Sequence, residues 1–89
     1  MSDLDLAILG GGNMGRALIS GLLRSGTRAE HIRVGESAAT ARDCVARELG
    51  VAATADNSAA VTGAALVVLA VKPEDASAVL APLAPQLQR

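Results

Sequence analysis

Gly10, Gly12 and Gly15 sit where a short apolar run gives way to a helical pattern, and they are the part of this sequence best suited to holding an anion. The first permits a tight turn, the second lets a charged group approach the backbone, and the third lets the following helix pack close to the strand. The first amides of that helix are left unpaired and point at whatever lies over the turn, and a diphosphate suits them. Glu36 closes the next apolar strand, 21 positions after Gly15, where a carboxylate accepts hydrogen bonds from an adenosine ribose. Turn and acid together read as a site for a nicotinamide dinucleotide, NAD(H) or NADP(H). The plainer alternatives are a glycine turn kept for packing and a Glu36 that is an ordinary solvated acid.

The choice between the two cofactors stays open at this level. A 2′-phosphate about 5 Å from a fixed Glu36 carboxylate would cost on the order of 3 kcal/mol per charge at an effective dielectric of 20, which favours NAD. Ser37, Thr40 and Arg42 lie just beyond and could hydrogen-bond a phosphate if Glu36 swung away. Lys72, the only lysine, follows a buried run and either binds cofactor oxygens as a point charge or is simply solvated. Asn57 either reaches the ligand or caps a helix. His31 reads as a surface residue away from the site, and Cys44 as a small buried hydrophobe. No catalytic residue and no metal ligand is assigned.

These residues need a frame, and the hydrophobic pattern supplies one. Leu4 to Leu9 is a nearly continuous apolar strand. From Asn13 the period becomes helical, with Met14, Ala17, Leu18, Gly21 and Leu22 forming a stripe that stops near Ser25 and Gly26. His31 to Gly35 is a second strand, and Ser37 is expected to cap a helix that turns Ala41, Cys44, Val45 and Leu49 inward before Gly50 ends it. Val51 to Thr54 is a third strand. Asp56, Asn57 and Ser58 offer caps for a brief helix ending at Gly63. Leu66 to Val71 is the most strand-like segment, and Pro73 suits the first position of a last helix whose dipole Glu74 and Asp75 complement. The alternation predicts an α/β fold: a Rossmann-type, partial doubly wound parallel sheet of about four strands with alternating helices and right-handed crossovers.

Bulk properties exclude other classes. With 89 residues, one domain is the ceiling. A composition 51% hydrophobic and 0% aromatic means a core of Ala, Val, Leu and Ile in thin layers. A formal net charge of -1, with no basic cluster, speaks against a nucleic-acid partner. The single cysteine excludes an internal disulfide, and no apolar run is long enough to cross a membrane, so a cytoplasmic protein is expected.

Ala7-Ile-Leu-Gly-Gly-Gly-Asn-Met-Gly15, together with Ala55-Asp-Asn57 and Leu69-Ala-Val-Lys-Pro73, closely resembles the N-terminal domain of the pyrroline-5-carboxylate reductases, and the likeness spans almost the whole chain. The pairing of Gly-x-Gly-Asn-Met with Leu-Ala-Val-Lys-Pro carries it. What the resemblance implies is hydride transfer from NAD(P)H to the C=N carbon of Δ1-pyrroline-5-carboxylate, giving L-proline, with the cofactor supplying the chemistry. It also implies cofactor contacts at Leu9, Gly10, Gly11, Gly12, Asn13, Met14 and Gly15 around the diphosphate. Glu36, Ser37 and Asn57 would lie toward the adenosine, and Ala70, Val71, Lys72 and Pro73 toward the nicotinamide ribose.

Members of that family are much longer, and a second, helical domain supplies their substrate pocket and dimer interface. Residues 1–89 are therefore expected to be the cofactor-binding domain of a homo-oligomeric enzyme with a small-molecule substrate, weak in nucleotide binding and inactive alone. The strand Leu66 to Val71 would then lie at a sheet edge prone to self-association. Rival readings are the cofactor domain of a β-hydroxyacid-type dehydrogenase, a non-catalytic nucleotide-sensing module and an S-adenosylmethionine-dependent methyltransferase.

Overall fold

In the computed structural model, which describes residues 5–87, four strands pair in parallel in the order β3-β2-β1-β4. They are β1 (Leu6–Leu9), β2 (Ile32–Gly35), β3 (Ala52–Thr54) and β4 (Leu66–Leu69). Leu6 pairs with Ile32 on one side and Leu66 on the other, and the register runs to Leu9 opposite Gly35 and Leu69. The strands alternate with helices α1 (Asn13–Arg24), α2 (Ala39–Cys44), α3 (Asn57–Val61) and α4 (Pro73–Leu80), and a short α5 (Ala84–Leu87) follows. This is the partial doubly wound sheet that the alternation predicts. Each parallel connection carries a helix because a direct turn cannot reverse the chain far enough to bring the next strand in parallel.

Both faces of the sheet are covered. On one, Leu6, Ile8, Ile32 and Val34 meet Ile19 of α1 and Val45 beyond α2, with Leu18, Leu22, Leu23 and Leu49 packed around them. On the other, Ala7 and Leu9 meet Ala60 and Val61 of α3 and Leu83, with Val67 and Val79 alongside. Ile8, Ile19, Val34 and Val45 are wholly inaccessible to solvent, each contributing about 1.5–3 kcal/mol through burial. With no aromatic side chain available, the layers close by small-residue contacts instead of large anchors.

Several boundaries and one phase differ from expectation. Described β1 starts at Leu6, and Leu4 lies outside the described residues, as does Arg89. The strand expected from His31 begins at Ile32, because Ala29–His31 forms a single 3-10 turn. The third strand starts at Ala52 and not Val51, and the fourth stops at Leu69 and not Val71. Ala70 still donates to the Leu9 carbonyl at 2.8 Å, but beyond it the chain leaves the sheet for α4.

The buried stripe of α1 is shifted by one residue from the expected one. Gly15 and Ile19 are buried with Leu18, Leu22 and Leu23 beside them, whereas Met14 is 64% exposed. Gly15 sets this phase, since it must face the turn that precedes the helix.

Ser37 does not cap α2. The cap residue is Ala38, whose carbonyl accepts from Arg42 N at 3.0 Å, and no side chain bonds into the helix end. Instead Arg42 Nη1 donates to the carbonyls of Glu36 and Ser37 at 3.0 and 2.8 Å. α2 runs on into a wider π turn over Val45–Leu49, and Gly50 ends it in the left-handed conformation, as its position predicts. Pro73 opens α4 with Glu74 and Asp75 in its first turn, also as expected. The 3-10 turn Ala81–Leu83 and α5 were not foreseen. Gln86 ties this end back to α3 through Ser58 Oγ at 2.6 Å. Among the described residues no helix is long and apolar enough to cross a membrane.

Candidate functional site

The four strands end at one edge of the sheet, and the loops that leave them surround an open cleft of about 960 Å³. The glycine turn forms its middle. Gly10 adopts φ +116°, and a side chain there would collide with the carbonyl of Ala70, so the end of β1 and the start of the β4–α4 loop touch through bare backbone. Gly15 lies against the Gly10 carbonyl just as closely, which draws the first turn of α1 over the end of β1. Gly12 is different: a Cβ built on it meets nothing within 4 Å, because it faces the open cleft.

Gly12 is also the cap residue of α1, and no side chain caps that helix or places a carboxylate in its first turn. The first intrahelical bond, from Arg16 N to Gly12 O at 2.9 Å, leaves the preceding amides of the turn without a helical acceptor. Gly12, Asn13 and Met14 all line the cleft. An exposed helix start of twelve residues therefore opens onto a cavity floored by glycine, which is a favourable position for an anionic group.

One wall comes from the ends of β2 and β3. Glu36 Oε1 accepts from the Gly11 amide at 2.6 Å and its Oε2 from the Ala38 amide at 2.9 Å, so the carboxylate is held at the rim beside the glycine turn. Ser37 lines the cleft next to it. Asp56 caps α3 by accepting from Ser58 N at 3.0 Å, which settles the alternative reading of Asn57: it is not the cap. The Asn57 side chain reaches over Gly35, where only the absence of a Cβ makes room, and its buried Oδ1 has no hydrogen-bond partner.

The opposite wall is Ala70, Val71 and Lys72, continued by Asp75, Ala78 and Val79 of α4 and by Pro82 and Leu83. Thus Gly10, Gly12, Asn13, Met14, Glu36, Ser37, Asn57, Ala70, Val71 and Lys72 converge on one cavity. Gly11 and Gly15 stand behind its surface and shape it. Leu9 is buried in the core beneath the turn, and Pro73 is exposed at the start of α4 outside the lining.

Sequence reasoning missed Ala55, Asp56 and Ser58 as cleft residues, and the α4 wall altogether. A signal for that wall was present, since Asp75, Ala78, Val79, Pro82 and Leu83 recur at helical spacing. His31 bonds Asp5 at 3.0 Å among the residues that open β1 and β2, remote from the cleft, and Cys44 is half-buried away from it. Among the described residues the cleft lining contains no histidine and no cysteine.

Over residues 5–89 the chain matches the family described as NADP oxidoreductase, coenzyme F420-dependent. It is 40% identical over 88 residues to a pyrroline-5-carboxylate reductase of Pseudomonas aeruginosa, covering 99% of this chain and 32% of that protein. A pyrroline-5-carboxylate reductase of Mycobacterium tuberculosis is 42% identical over 79 residues, with 89% and 26% covered. Among solved structures, a pyrroline-5-carboxylate reductase from Coxiella burnetii superposes with a TM-score of 0.92 at 32% identity, covering 97% of this chain and 32% of that one. The chain spans about a quarter to a third of the length of these relatives.

Proposed function

Because the chain belongs to the family described as NADP oxidoreductase, coenzyme F420-dependent, we propose that it is the cofactor-binding domain of a pyrroline-5-carboxylate reductase. The reaction is reduction of the C=N bond of Δ1-pyrroline-5-carboxylate to L-proline. The observation that carries this reading is likeness along 99% of the chain to a reductase of that name, joined to a glycine-floored cleft at the carboxyl ends of the strands, where open α/β sheets bind their ligands.

The residues present fit a nicotinamide dinucleotide. The uncapped start of α1 and the empty space over Gly12 suit a diphosphate. Glu36, Ser37 and Asn57 stand on the side proposed for the adenosine ribose. Ala70, Val71 and Lys72 stand on the side proposed for the nicotinamide ribose, where Lys72 is the sole cation of the lining. When bound, the cofactor supplies the hydride. The chain's own part is to grip the diphosphate with backbone amides, to fix the two riboses on opposite walls and so to aim the nicotinamide past the Val71–Lys72 rim. Groups that bind the imine and handle its proton would come from a further domain of the kind its longer relatives have room for. The enzyme is inferred to be a cytoplasmic homo-oligomer acting on a small-molecule substrate.

The test is an assay of the protein at its full encoded length with pyrroline-5-carboxylate and a reduced nicotinamide cofactor. Cofactor oxidation coupled to proline formation is expected. Cofactor binding without turnover on this imine, but with turnover on a β-hydroxyacid, would replace the proposal.

A further inference from the structure

We infer that the loop from Glu36 to Ala38 is a preset selector that admits a nicotinamide cofactor lacking the 2′-phosphate, and that Arg42 is the positioning residue that sets it. This rests on the dinucleotide reading above and deepens it, and it runs against the NADP in the family's description.

The carboxylate of Glu36 is fixed at both oxygens. Oε1 takes the Gly11 amide at 2.6 Å and Oε2 the Ala38 amide at 2.9 Å, while Glu36 Cβ and Cγ lie 3.3 Å from where a side chain on Gly11 would begin. A carboxylate bonded to two amides from different segments does not swing to solvent without leaving both donors unpaired. The backbone beneath it is fixed as well. Arg42 Nη1 bridges the carbonyls of Glu36 and Ser37, at 3.0 and 2.8 Å, and the Glu36 amide donates to Thr54 O on β3 at 2.8 Å.

Two of the three residues that could have received a phosphate lie outside the cleft lining. Of Ser37, Thr40 and Arg42, Ser37 alone lines it. Thr40 and Arg42 border a separate shallow hollow with Asp43, Ala46 and Ala53. The cleft lining holds three acids, Glu36, Asp56 and Asp75, against one cation, Lys72, which stands on the other wall. A 2′-phosphate on a ribose beside Glu36 would therefore meet a fixed negative charge, and the nearest cation, Arg42, is outside the lining with its Nη1 engaged by the Glu36 and Ser37 carbonyls, whereas a 2′-hydroxyl would meet an acceptor.

Arg42 acts at one remove. It is not itself part of the cleft lining, and the two carbonyls it holds belong to lining residues, Glu36 and Ser37, beside the ribose position. Arg42→Ala should let the loop relax and Glu36 leave its amides, so that discrimination shrinks even if overall affinity changes little.

The experiment is calorimetric titration of the protein at its full encoded length with NAD+ and with NADP+. The unaltered protein should bind NAD+ about tenfold or more tightly than NADP+. Glu36→Gln should cut that ratio severalfold, Arg42→Ala should cut it too, and Arg42→Lys should restore part of it. NADP+ binding as tightly as NAD+ would overturn the selector. Parallel weakening of both cofactors by Arg42→Ala, with the ratio intact, would overturn the positioning role of Arg42. Failure of both cofactors to bind would instead overturn the dinucleotide reading on which this rests.

Discussion

Gly15 lies directly against the carbonyl of Gly10, closer than any residue with a Cβ could come. That contact joins the loop just after β1 to the first turn of α1 and sets which side of the helix faces the sheet. It also brings the helix start to the floor of the cleft, so one missing methyl group serves packing and binding together.

Gly15→Ala is accordingly expected to force the helix away from the turn and to destabilise the fold by about 1–3 kcal/mol, the usual range for overpacking a tight contact. The urea midpoint of unfolding measures it. An unchanged midpoint would mean that α1 does not sit where the contact requires.

Leu83 is 3% exposed and closes the sheet face formed by Ala7, Leu9, Ala60 and Val61. Truncation to alanine should leave a cavity and lower stability by about 2–4 kcal/mol. A loss under about 1 kcal/mol would show that the Ala81–Leu83 turn contributes little to the core.

How much of this was legible beforehand depended on whether a residue's environment was local. Gly10, Gly12 and Gly15 follow a strand and open a helix within a single short window, and the structure puts all three where that context requires. The parallel sheet followed from the alternation of elements, and Gly50 and Pro73 ended and began helices as their own backbone preferences dictate. The phase of α1 was misjudged because Met14 reads as a core residue by hydrophobicity, while a contact with no hydrophobic signature, Gly15 on Gly10, decides the matter. Ser37 was misjudged as a cap because α2 begins one residue later, with Ala38 at the cap position, and the loop before it is held by Glu36 on the Ala38 amide and by Arg42 on the Glu36 and Ser37 carbonyls. The wall from Asp75 to Leu83 was overlooked because Pro82 interrupts a pattern that otherwise keeps helical spacing through the 3-10 turn.

Asn57 presents a buried oxygen with no donor in the cleft wall. An unpaired buried acceptor costs about 1–3 kcal/mol, so Asn57→Ala should leave stability within about 1 kcal/mol of the original or raise it. Nucleotide affinity should fall severalfold, since the ligand would lose that side chain. Chemical unfolding and calorimetry check the two halves, and a clear loss of stability would show that Asn57 serves the fold.

Among the described residues β4 pairs with β1 on one side only, and Leu66 at its start is 52% exposed. An unpaired apolar edge is a template for another strand. Residues 1–89 produced alone should self-associate at high concentration, and Leu66→Lys should suppress this. Light scattering that reports a monodisperse monomer at high concentration would contradict it.

The central claim is that backbone amides around Gly12 grip a diphosphate. Gly12 has φ -80°, which any residue adopts, and open space beside it, so Gly12→Val should keep the fold, with stability changed by no more than about 1 kcal/mol at this cap position. Calorimetric titration of this variant at its full encoded length, beside the unaltered protein, is the most direct measurement. The account predicts intact unfolding behaviour and a loss of nicotinamide dinucleotide affinity greater than about tenfold. Affinity equal to that of the unaltered protein, in a variant that folds, would contradict it.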